Sequence, residues 1–436
     1  MNKEILRLAI PNIISNVSVP LLSTVDTALM GRFSELHIGA VGLGAMIFNF
    51  VYWNFGFLRM GTTGITAQAY GKADQAEIIQ TLGRAFLVVG GIAALILLLQ
   101  YPIGEAAFYF MNVSEEQLPL VAEYFYIRVW AAPASLGLYA FLGWFFGMQN
   151  AIFPLLITVV VNISNVALNF LLVFHFGMEV DGVAWSTVIA QYIGLSLAIL
   201  LFFFKYRSYW QYLNRTALLM WERVRSFLLI NRDIFIRTAC LTFAFSFFYS
   251  QSAASGDLVL AANVILMQFV NWMSYGVDGF AYASESLVGK YVGSQSLVKS
   301  KQAIRLSFVW GMGLATLYAL IYGLFSTPLL HLFTDQTDVI AATRPFLFWI
   351  ILFPIAGTPC YLWDGIYIGL TASKAMRNSM LLALAVFLIA NFALKTPFQN
   401  HGLWAALTLF MLARAGFQWW IYERRIANKL LTHQPD

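Results

Sequence analysis

Long apolar stretches recur along this 436-residue chain, and they constrain its fold more than any other feature of the sequence. A helix that crosses a membrane needs about 20 predominantly apolar residues to span a hydrocarbon layer of ~30 Å. Only 11% of the residues are charged, against roughly a quarter in a soluble domain. The sequence therefore predicts an all-α polytopic membrane protein, which excludes a soluble enzyme, and nothing in it implies nucleic acid as a partner.

Hydropathy and helix breakers divide the chain into twelve predicted transmembrane helices. The first six are Ile5–Met30, Ile38–Ala69, Ile78–Leu99, Val121–Gly147, Phe153–Phe174 and Val183–Phe204. The second six are Phe235–Ser250, Leu258–Val292, Ile304–Phe325, Phe346–Leu370, Ser379–Phe392 and Leu403–Tyr422. This division predicts an N-lobe at residues 1–204, a cytoplasmic linker at 205–229, a C-lobe at 230–426 and a cytoplasmic tail at 427–436.

The basic residues indicate how the chain is oriented, because Lys and Arg that flank membrane helices are retained on the cytoplasmic side. With the N-terminus inside, nearly all of them fall on that side, and only Arg32, Arg344 and Lys395 fall outside. The pattern predicts a multi-pass protein of the bacterial inner membrane with both termini in the cytoplasm.

The two halves of the chain resemble each other, which is typical of transporters built from repeats. Phe50-Val51-Tyr52-Trp53 followed by Gly56 recurs as Phe269-Val270-Asn271-Trp272 followed by Gly276. Pro133 and Gly147 correspond to Pro354 and Gly369 at nearly the same spacing. Six helices in each half place the copies in the same direction, so we expect two parallel six-helix bundles related by pseudo-two-fold symmetry.

Enzymatic motifs are absent from the sequence. It contains no zinc-protease, Walker or nucleophile-elbow motif, and Cys240 and Cys360, its only cysteines, stand alone in apolar runs. We therefore expect no catalytic residues, no cofactor and no bound metal. A transporter of this composition would draw on an ion gradient.

Asp26 is the candidate for coupling transport to protons. It lies in the first predicted helix, and an ionisable group inside a membrane is costly and usually functional. Pro20, six residues earlier, removes the backbone hydrogen bond to Asn16 and makes the helix easier to bend. The alternatives are a neutral acid that ties helices together and a static kink.

Three amides share one face of the fifth predicted helix, at Asn162, Asn165 and Asn169. An amide can donate to a carboxylate and accept from a carboxylic acid. These residues, with Thr187 and Gln191 one turn apart on the sixth helix, are predicted to line the substrate cavity near Asp26. The competing interpretation is that they only hold helices together.

The second half contains three further acids inside apolar runs. Asp278 and Glu285 lie seven residues apart on one helical face, and Asp364 lies in the tenth predicted helix. They are candidates for a second cation site, or for ion pairs with Arg59, Arg128 or Arg237, which lie within or at the ends of apolar runs. Five aromatic residues, Trp53, Trp272, Tyr361, Trp363 and Tyr367, are candidates for a cation–π surface or for packing.

The sequence resembles the multidrug and toxic compound extrusion (MATE) transporters, specifically the bacterial DinF-type branch. The resemblance covers nearly the whole chain, and four segments carry it: Leu8-Ala9-Ile10-Pro11-Asn12-Ile13 with Pro20 to Ala28, Leu58 to Gly71, Asp278 to Glu285, and Gly402-Leu403-Trp404. It implies a two-lobed exporter that expels amphipathic, often cationic compounds by alternating access.

The resemblance also implies roles for individual residues. Asp26 matches the family's first-helix acid, and Pro20 matches a proline at which that helix bends when the acid is protonated. Similar proteins carry a second acid where this chain has Asn169. Because sodium sites prefer several charged oxygen ligands, this departure favours H⁺ over Na⁺ as the coupling ion.

The expected partners are small organic molecules, H⁺ and membrane lipids, with the protein acting as a monomer. A sodium-coupled exporter and a flippase for lipid-linked precursors remain as alternatives. A flippase is expected to show a basic cavity for phosphate, whereas the central residues named here are mostly acidic or neutral. A membrane-embedded enzyme is disfavoured by the absent motifs.

Overall fold

The computed structural model describes the backbone of residues 1–30 and 35–426 and the side chains of residues 1–18, 36–424 and 426. Within that part of the chain every regular element is helical. The first half contains α1 (Asn2–Met30), α2 (Glu35–Phe55), α3 (Phe57–Gly71), α4 (Gln75–Leu98), α5 (Gln100–Phe110), α6 (Leu118–Arg128), α7 (Ala132–Gly147), α8 (Ile152–Asn169) and α9 (Val180–Tyr206). The second contains α10 (Arg215–Leu218), α11 (Trp221–Ala253), α12 (Asp257–Gly293), α13 (Leu297–His331), α14 (Thr337–Thr343), α15 (Leu347–Gly369) and α16 (Ser373–Ile421).

Twelve membrane crossings follow from these helices. Nine helical stretches of the described chain are long and apolar enough to span a bilayer. α1 and α11 add two crossings that carry more polar side chains. α16 is one of the nine and counts as two crossings, because Pro397 and the left-handed backbone of Gln399 (φ 49°) interrupt it. The total is therefore twelve. The predicted twelve-helix fold is therefore confirmed, although the predicted eleventh helix, Ser379–Phe392, is too short, since α16 begins at Ser373.

The chain forms two compact units. The first unit comprises Ile14–Leu228, and the second unit comprises Met1–Ile13 together with Leu229–Asp436. α1 contributes its first residues to the second unit and the rest of its length to the first. The predicted N-lobe and C-lobe correspond to these units except at the first thirteen residues, and the exact lobe boundaries stay a prediction.

A close helix contact occurs in each unit and reveals the repeat. A Cβ added to Gly143 on α7 would lie 2.3 Å from the backbone oxygen of Arg59 on α3. A Cβ added to Gly365 on α15 would lie 2.2 Å from the backbone oxygen of Ala281 on α12. Both pairs are related by an offset of 222 residues, from 143 to 365 and from 59 to 281. Small residues at helix crossings let backbones approach closely in membranes, so both units use the same contact.

The core of the first unit fixes α7 between α4 and α9. Trp144 on α7 is fully buried, and its indole Nε1 donates a hydrogen bond of 2.9 Å to the backbone oxygen of Ile78 on α4. Its ring packs edge-on against Phe202 and Tyr206 of α9, at centroid distances of 5.4 and 5.0 Å. This aromatic cluster holds α4, α7 and α9 together at the C-terminal end of α9, whose N-terminal part carries Ser186 and Thr187.

Candidate functional site

A continuous chain of hydrogen bonds joins the polar residues of α8 and α9. Asn165 donates from Nδ2 to the hydroxyl of Thr187 at 3.0 Å, and Asn169 donates to Oδ1 of Asn165 at 3.2 Å. The hydroxyl of Ser186 donates to Oδ1 of Asn169. The structure thus brings together three of the predicted cavity residues and adds Ser186, which sequence reasoning missed because a lone serine in an apolar helix gives no signal.

Asn162, one turn before Asn165, makes a separate contact with α1. It donates from Nδ2 to the hydroxyl of Ser18 at 3.0 Å, and that hydroxyl in turn donates to the backbone oxygen of Ser15 at 2.7 Å. The side chain of Gln191 lies half-buried on α9, one turn after Thr187, outside these hydrogen bonds. Ser18 is therefore the residue through which Asn162 of α8 contacts the first helix.

Asp26 and Pro20 fall outside the residues whose side chains are described. Their backbone lies within α1, which is helical from Asn2 to Met30 and so continues on both sides of Pro20. The predicted coupling and hinge roles of these two residues are therefore carried forward as proposals.

Asp364, by contrast, lies in a buried ionic cluster of the second unit. It accepts hydrogen bonds from Arg237, from Nη2 of Arg414 at 2.7 Å and from Nε2 of Gln418 at 2.7 Å. The side chains of Asp364, Arg237 and Arg414 are 8, 7 and 1% exposed. Oδ2 of Asp364 accepts from the two guanidinium groups and Oδ1 accepts from Gln418, so both oxygens are occupied. This favours the ion-pairing interpretation for Asp364 over a cation site.

Asp278 and Glu285 both lie on α12. Glu285 is buried and Asp278 is half-buried, and each interacts with another group of the protein. Asp278 lies within electrostatic range of Tyr361, beside the Asp364 cluster. The assignment of these two acids to a second cation site stays a prediction.

The aromatic candidates divide into two groups. Trp53 and Trp272 are exposed, as expected of side chains that face lipid or the headgroup region. Tyr361 stacks under the guanidinium of Arg414 at 5.8 Å, Trp363 is buried, and the hydroxyl of Tyr367 donates to the backbone oxygen of Gln418 at 2.6 Å. These three therefore pack around the Asp364 cluster.

Comparison with known proteins identifies the relatives of the chain. The family model described as MatE matches residues 11–171 and 234–395. DNA damage-inducible protein F of Escherichia coli is 37% identical over 422 residues, covering 95% of this chain and 90% of that protein. The protein described as "Probable multidrug resistance protein NorM" of Rhizobium meliloti is 24% identical and covers 96% of this chain and 92% of its own length.

Solved structures agree with the sequence comparisons. The crystal structure of the Vibrio cholerae MATE transporter VcmN in the bent form superposes with a TM-score of 0.86 at 20% identity, covering 99% of this chain and 98% of that one. The outward-facing structure of a multidrug resistance MATE transporter gives a TM-score of 0.82 at 18% identity and covers 99% and 97%. At these identities the likeness establishes the fold.

Proposed function

The chain belongs to the multidrug and toxic compound extrusion (MATE) family, and from this premise we propose that it is a proton-coupled multidrug exporter. In this proposal it expels amphipathic, often cationic compounds in exchange for protons by alternating access. Asp26 is the coupling carboxylate, and α1 bends at Pro20. The protein acts as a monomer in the bacterial inner membrane, with both termini in the cytoplasm.

The observation that carries the proposal is the hydrogen bond between Asn162 and Ser18. It ties α8, whose Asn165 is hydrogen-bonded to Thr187 of α9, to the helix that contains Asp26. Every described member of these hydrogen bonds is neutral, and amides can partner a carboxyl group in both of its protonation states. Neutral partners on the helices that contact α1 suit a proton more than a sodium ion, which prefers several hard oxygen ligands with more than one negative charge.

In this proposal, proton binding to Asp26 changes which conformation of α1 is the more stable. A carboxylate in a membrane needs donors and water around it, whereas the neutral acid tolerates a drier and more tightly packed site. If the pKa of Asp26 differs by about two units between the two conformers, the difference corresponds to roughly 2.7 kcal/mol, which is a hundredfold shift in population. That shift is large enough for protonation to close the cavity around Asp26 and expel the substrate.

The proposal is tested with purified protein in proteoliposomes. Ethidium is followed by fluorescence while either a pH gradient or a sodium gradient is imposed. We expect ethidium movement under the pH gradient alone, and its loss in Asp26→Asn. A matched control, Asp257→Asn, neutralises an exposed acid at the start of α12 and is expected to transport like the parent.

The same assay separates the alternatives. If ethidium moves only under the sodium gradient, the coupling ion is Na⁺ and the assignment of proton coupling is wrong. Failure to move ethidium under either gradient, together with translocation of a fluorescent lipid-linked phosphate, would favour the flippase. An Asp26→Asn variant that transports like the parent would remove Asp26 from the mechanism.

A further inference from the structure

The linker that joins α9 to α11 lies at one surface of the membrane. α9 and α11 both cross the bilayer, so the residues between them begin and end on the same side of it. From Lys205 to Leu228 the sequence contains five basic residues and one acidic residue, a net charge of +4. Clusters of about four to eight Lys and Arg residues beside a transmembrane helix are typical of segments that bind anionic lipid headgroups.

Part of the linker is packed against the first unit. Nε2 of Gln80 on α4 donates a hydrogen bond of 3.1 Å to the backbone oxygen of Asn214. Leu218 lies so close to α4 that a Cβ added to Gly83 would be 2.7 Å from its Cδ1. Leu213 packs against the apolar core of the same unit. These contacts hold the linker at a defined place on the first unit.

The exposed side chains of the linker combine large apolar groups with positive charges. Leu219, Met220 and Trp221 follow one another in the chain, and Leu219 and Trp221 are 64 and 66% exposed. Trp210 is exposed as well. The exposed arginines of the linker are Arg207, Arg215, Arg223 and Arg225. Tryptophan and leucine side chains beside basic residues are typical of segments that lie in a membrane interface.

A bilayer surface accommodates this combination better than water does. Exposed apolar patches on a surface that faces water mark sites that bind a partner or a membrane. At a bilayer surface, apolar side chains enter the boundary between headgroups and acyl chains, and arginines donate paired hydrogen bonds to phosphate groups. Because the linker lies between two membrane crossings, that boundary is within its reach. The apolar side chains then gain burial, and the arginines favour lipids with a negative charge.

We propose that the linker is a docking surface for anionic phospholipids of the surrounding membrane. Its exposed arginines bind the lipid phosphates, while Leu219, Met220 and Trp221 enter the adjacent acyl region. Since the linker is packed on α4, the lipid is bound at a defined place on the first unit. The inference concerns neither the coupling ion nor the exported compound, so it goes beyond the proposed function.

A fluorescent label on the linker tests which lipid lies against it. The full chain with Cys240→Ser and Cys360→Ser carries nitrobenzoxadiazole on Gln211→Cys, at an exposed position of the linker. It is reconstituted into equimolar phosphatidylcholine and phosphatidylglycerol, with the acyl chains of one lipid or of the other brominated. We expect brominated phosphatidylglycerol to quench the label at least twofold more than brominated phosphatidylcholine.

Two matched sets of substitutions separate the linker charge from the overall charge. The test variant replaces three exposed arginines of the linker together: Arg215→Gln, Arg223→Gln and Arg225→Gln. The control variant replaces three exposed basic residues of α13 together: Lys299→Gln, Lys301→Gln and Arg305→Gln. We expect the two brominated lipids to quench the linker label equally in the test variant. The control variant is expected to keep the preference for phosphatidylglycerol.

Salt provides a test that needs no charge-removing variant. Exposed charges are screened more strongly as salt increases, with a Debye length of ~10 Å at 0.1 M and ~3 Å at 1 M. The preference of the linker label for phosphatidylglycerol is therefore expected to fall as NaCl is raised from ~0.1 to ~1 M. A preference that does not change with salt would overturn the role of the arginines.

A second label position shows whether the preference belongs to the linker. Nitrobenzoxadiazole on Leu320→Cys, at an exposed apolar position of α13, is expected to be quenched equally by the two lipids. The same preference at both labels, or a preference at the linker label that survives in the test variant, would overturn the docking surface. So would the absence of quenching by either lipid at the linker label, because the surface would then face water and be open to a soluble partner.

Discussion

Asn169 donates its side-chain amide to Oδ1 of Asn165 across 3.2 Å, one turn away on α8. Asn169 also accepts the hydroxyl of Ser186, so its donor and its acceptor are both engaged. Both amides are fully buried. The neutral residue at this position is therefore held by partners that match an amide.

Replacing Asn169 by Asp is expected to raise the pH range of transport. The substitution removes the donor to Asn165 and adds a carboxyl group to the network, in the cavity that the proposal assigns to Asp26 as well. Two neighbouring carboxylates cannot both ionise easily, so one of them keeps its proton to higher pH. We expect the midpoint of proton-driven ethidium transport to move up by about one pH unit, measured in proteoliposomes between about pH 5 and 9.

Asn169→Ala serves as the comparison for that experiment. It loses the hydrogen bonds to both Asn165 and Ser186 without adding charge, so it is expected to shift the midpoint less than Asn169→Asp. Unchanged pH dependence in both variants would mean that the amides only hold α8 and α9 together.

Asp364→Asn is expected to destabilise the protein strongly. The substitution leaves Arg237 and Arg414 buried without their shared anion, and breaking a buried ion pair from one side typically costs about 3–5 kcal/mol. Thermal unfolding of the purified protein in detergent measures the loss. Normal thermal stability combined with lost ion coupling would contradict ion pairing and restore the cation-site interpretation.

Gly143→Ala is expected to separate α7 from α3. The new methyl group would lie 2.3 Å from the backbone oxygen of Arg59, a contact that a flexible side chain cannot relieve. Overpacking of this kind costs about 1–3 kcal/mol. Gly313→Ala on α13 is the control, because a Cβ there meets no atom within 4 Å. Equal thermal stability of the two variants would contradict the close approach of the backbones.

The carboxylate of Glu4 is expected to make the free energy of unfolding depend on pH in the acidic range. Burial raises the pKa of its carboxyl, but hydrogen bonds from Tyr291 and Lys290 and the charge of Lys290 lower that pKa below its ordinary value of 4.5. Because this pKa is lower in the folded state, the ionised carboxylate stabilises the folded protein at pH values above the ordinary pKa. This stabilisation is lost as the pH falls through the pKa of the folded state. Because the side chain is 41% exposed, we expect an effect of at most about 1 kcal/mol.

The comparison with Glu4→Gln isolates that contribution. Between about pH 6 and 8 the parent is expected to be more stable than Glu4→Gln by a constant amount, and below about pH 4.5 the difference is expected to shrink. A difference in unfolding temperature that is independent of pH would show that the Glu4 carboxylate contributes nothing to the contact with α12.

Hydropathy predicted the fold well because each membrane crossing must be apolar over its whole length. The twelve crossings, the repeat and the family are confirmed, and the motif from Asp278 to Glu285 pointed to a helix that the structure places in α12. The break at Gln399 was also anticipated, because a largely polar stretch from Lys395 to His401 separates the eleventh and twelfth predicted helices.

The site was predicted less completely, because a side-chain network depends on contacts between helices. The amides at Asn162, Asn165 and Asn169 were predicted because they form a polar face on an apolar helix. Ser18 was not predicted, since α1 carries several hydroxyl residues and nothing in the sequence distinguishes this one.

The central claim is that substrate and proton compete for one site that contains Asp26. It is tested most directly by adding ethidium to the purified protein in weakly buffered detergent solution and recording the pH with an indicator dye. The account predicts that the parent releases protons when ethidium binds and that Asp26→Asn binds ethidium without releasing any. Equal proton release by the two proteins, or none by the parent at a pH where it transports, would contradict the account.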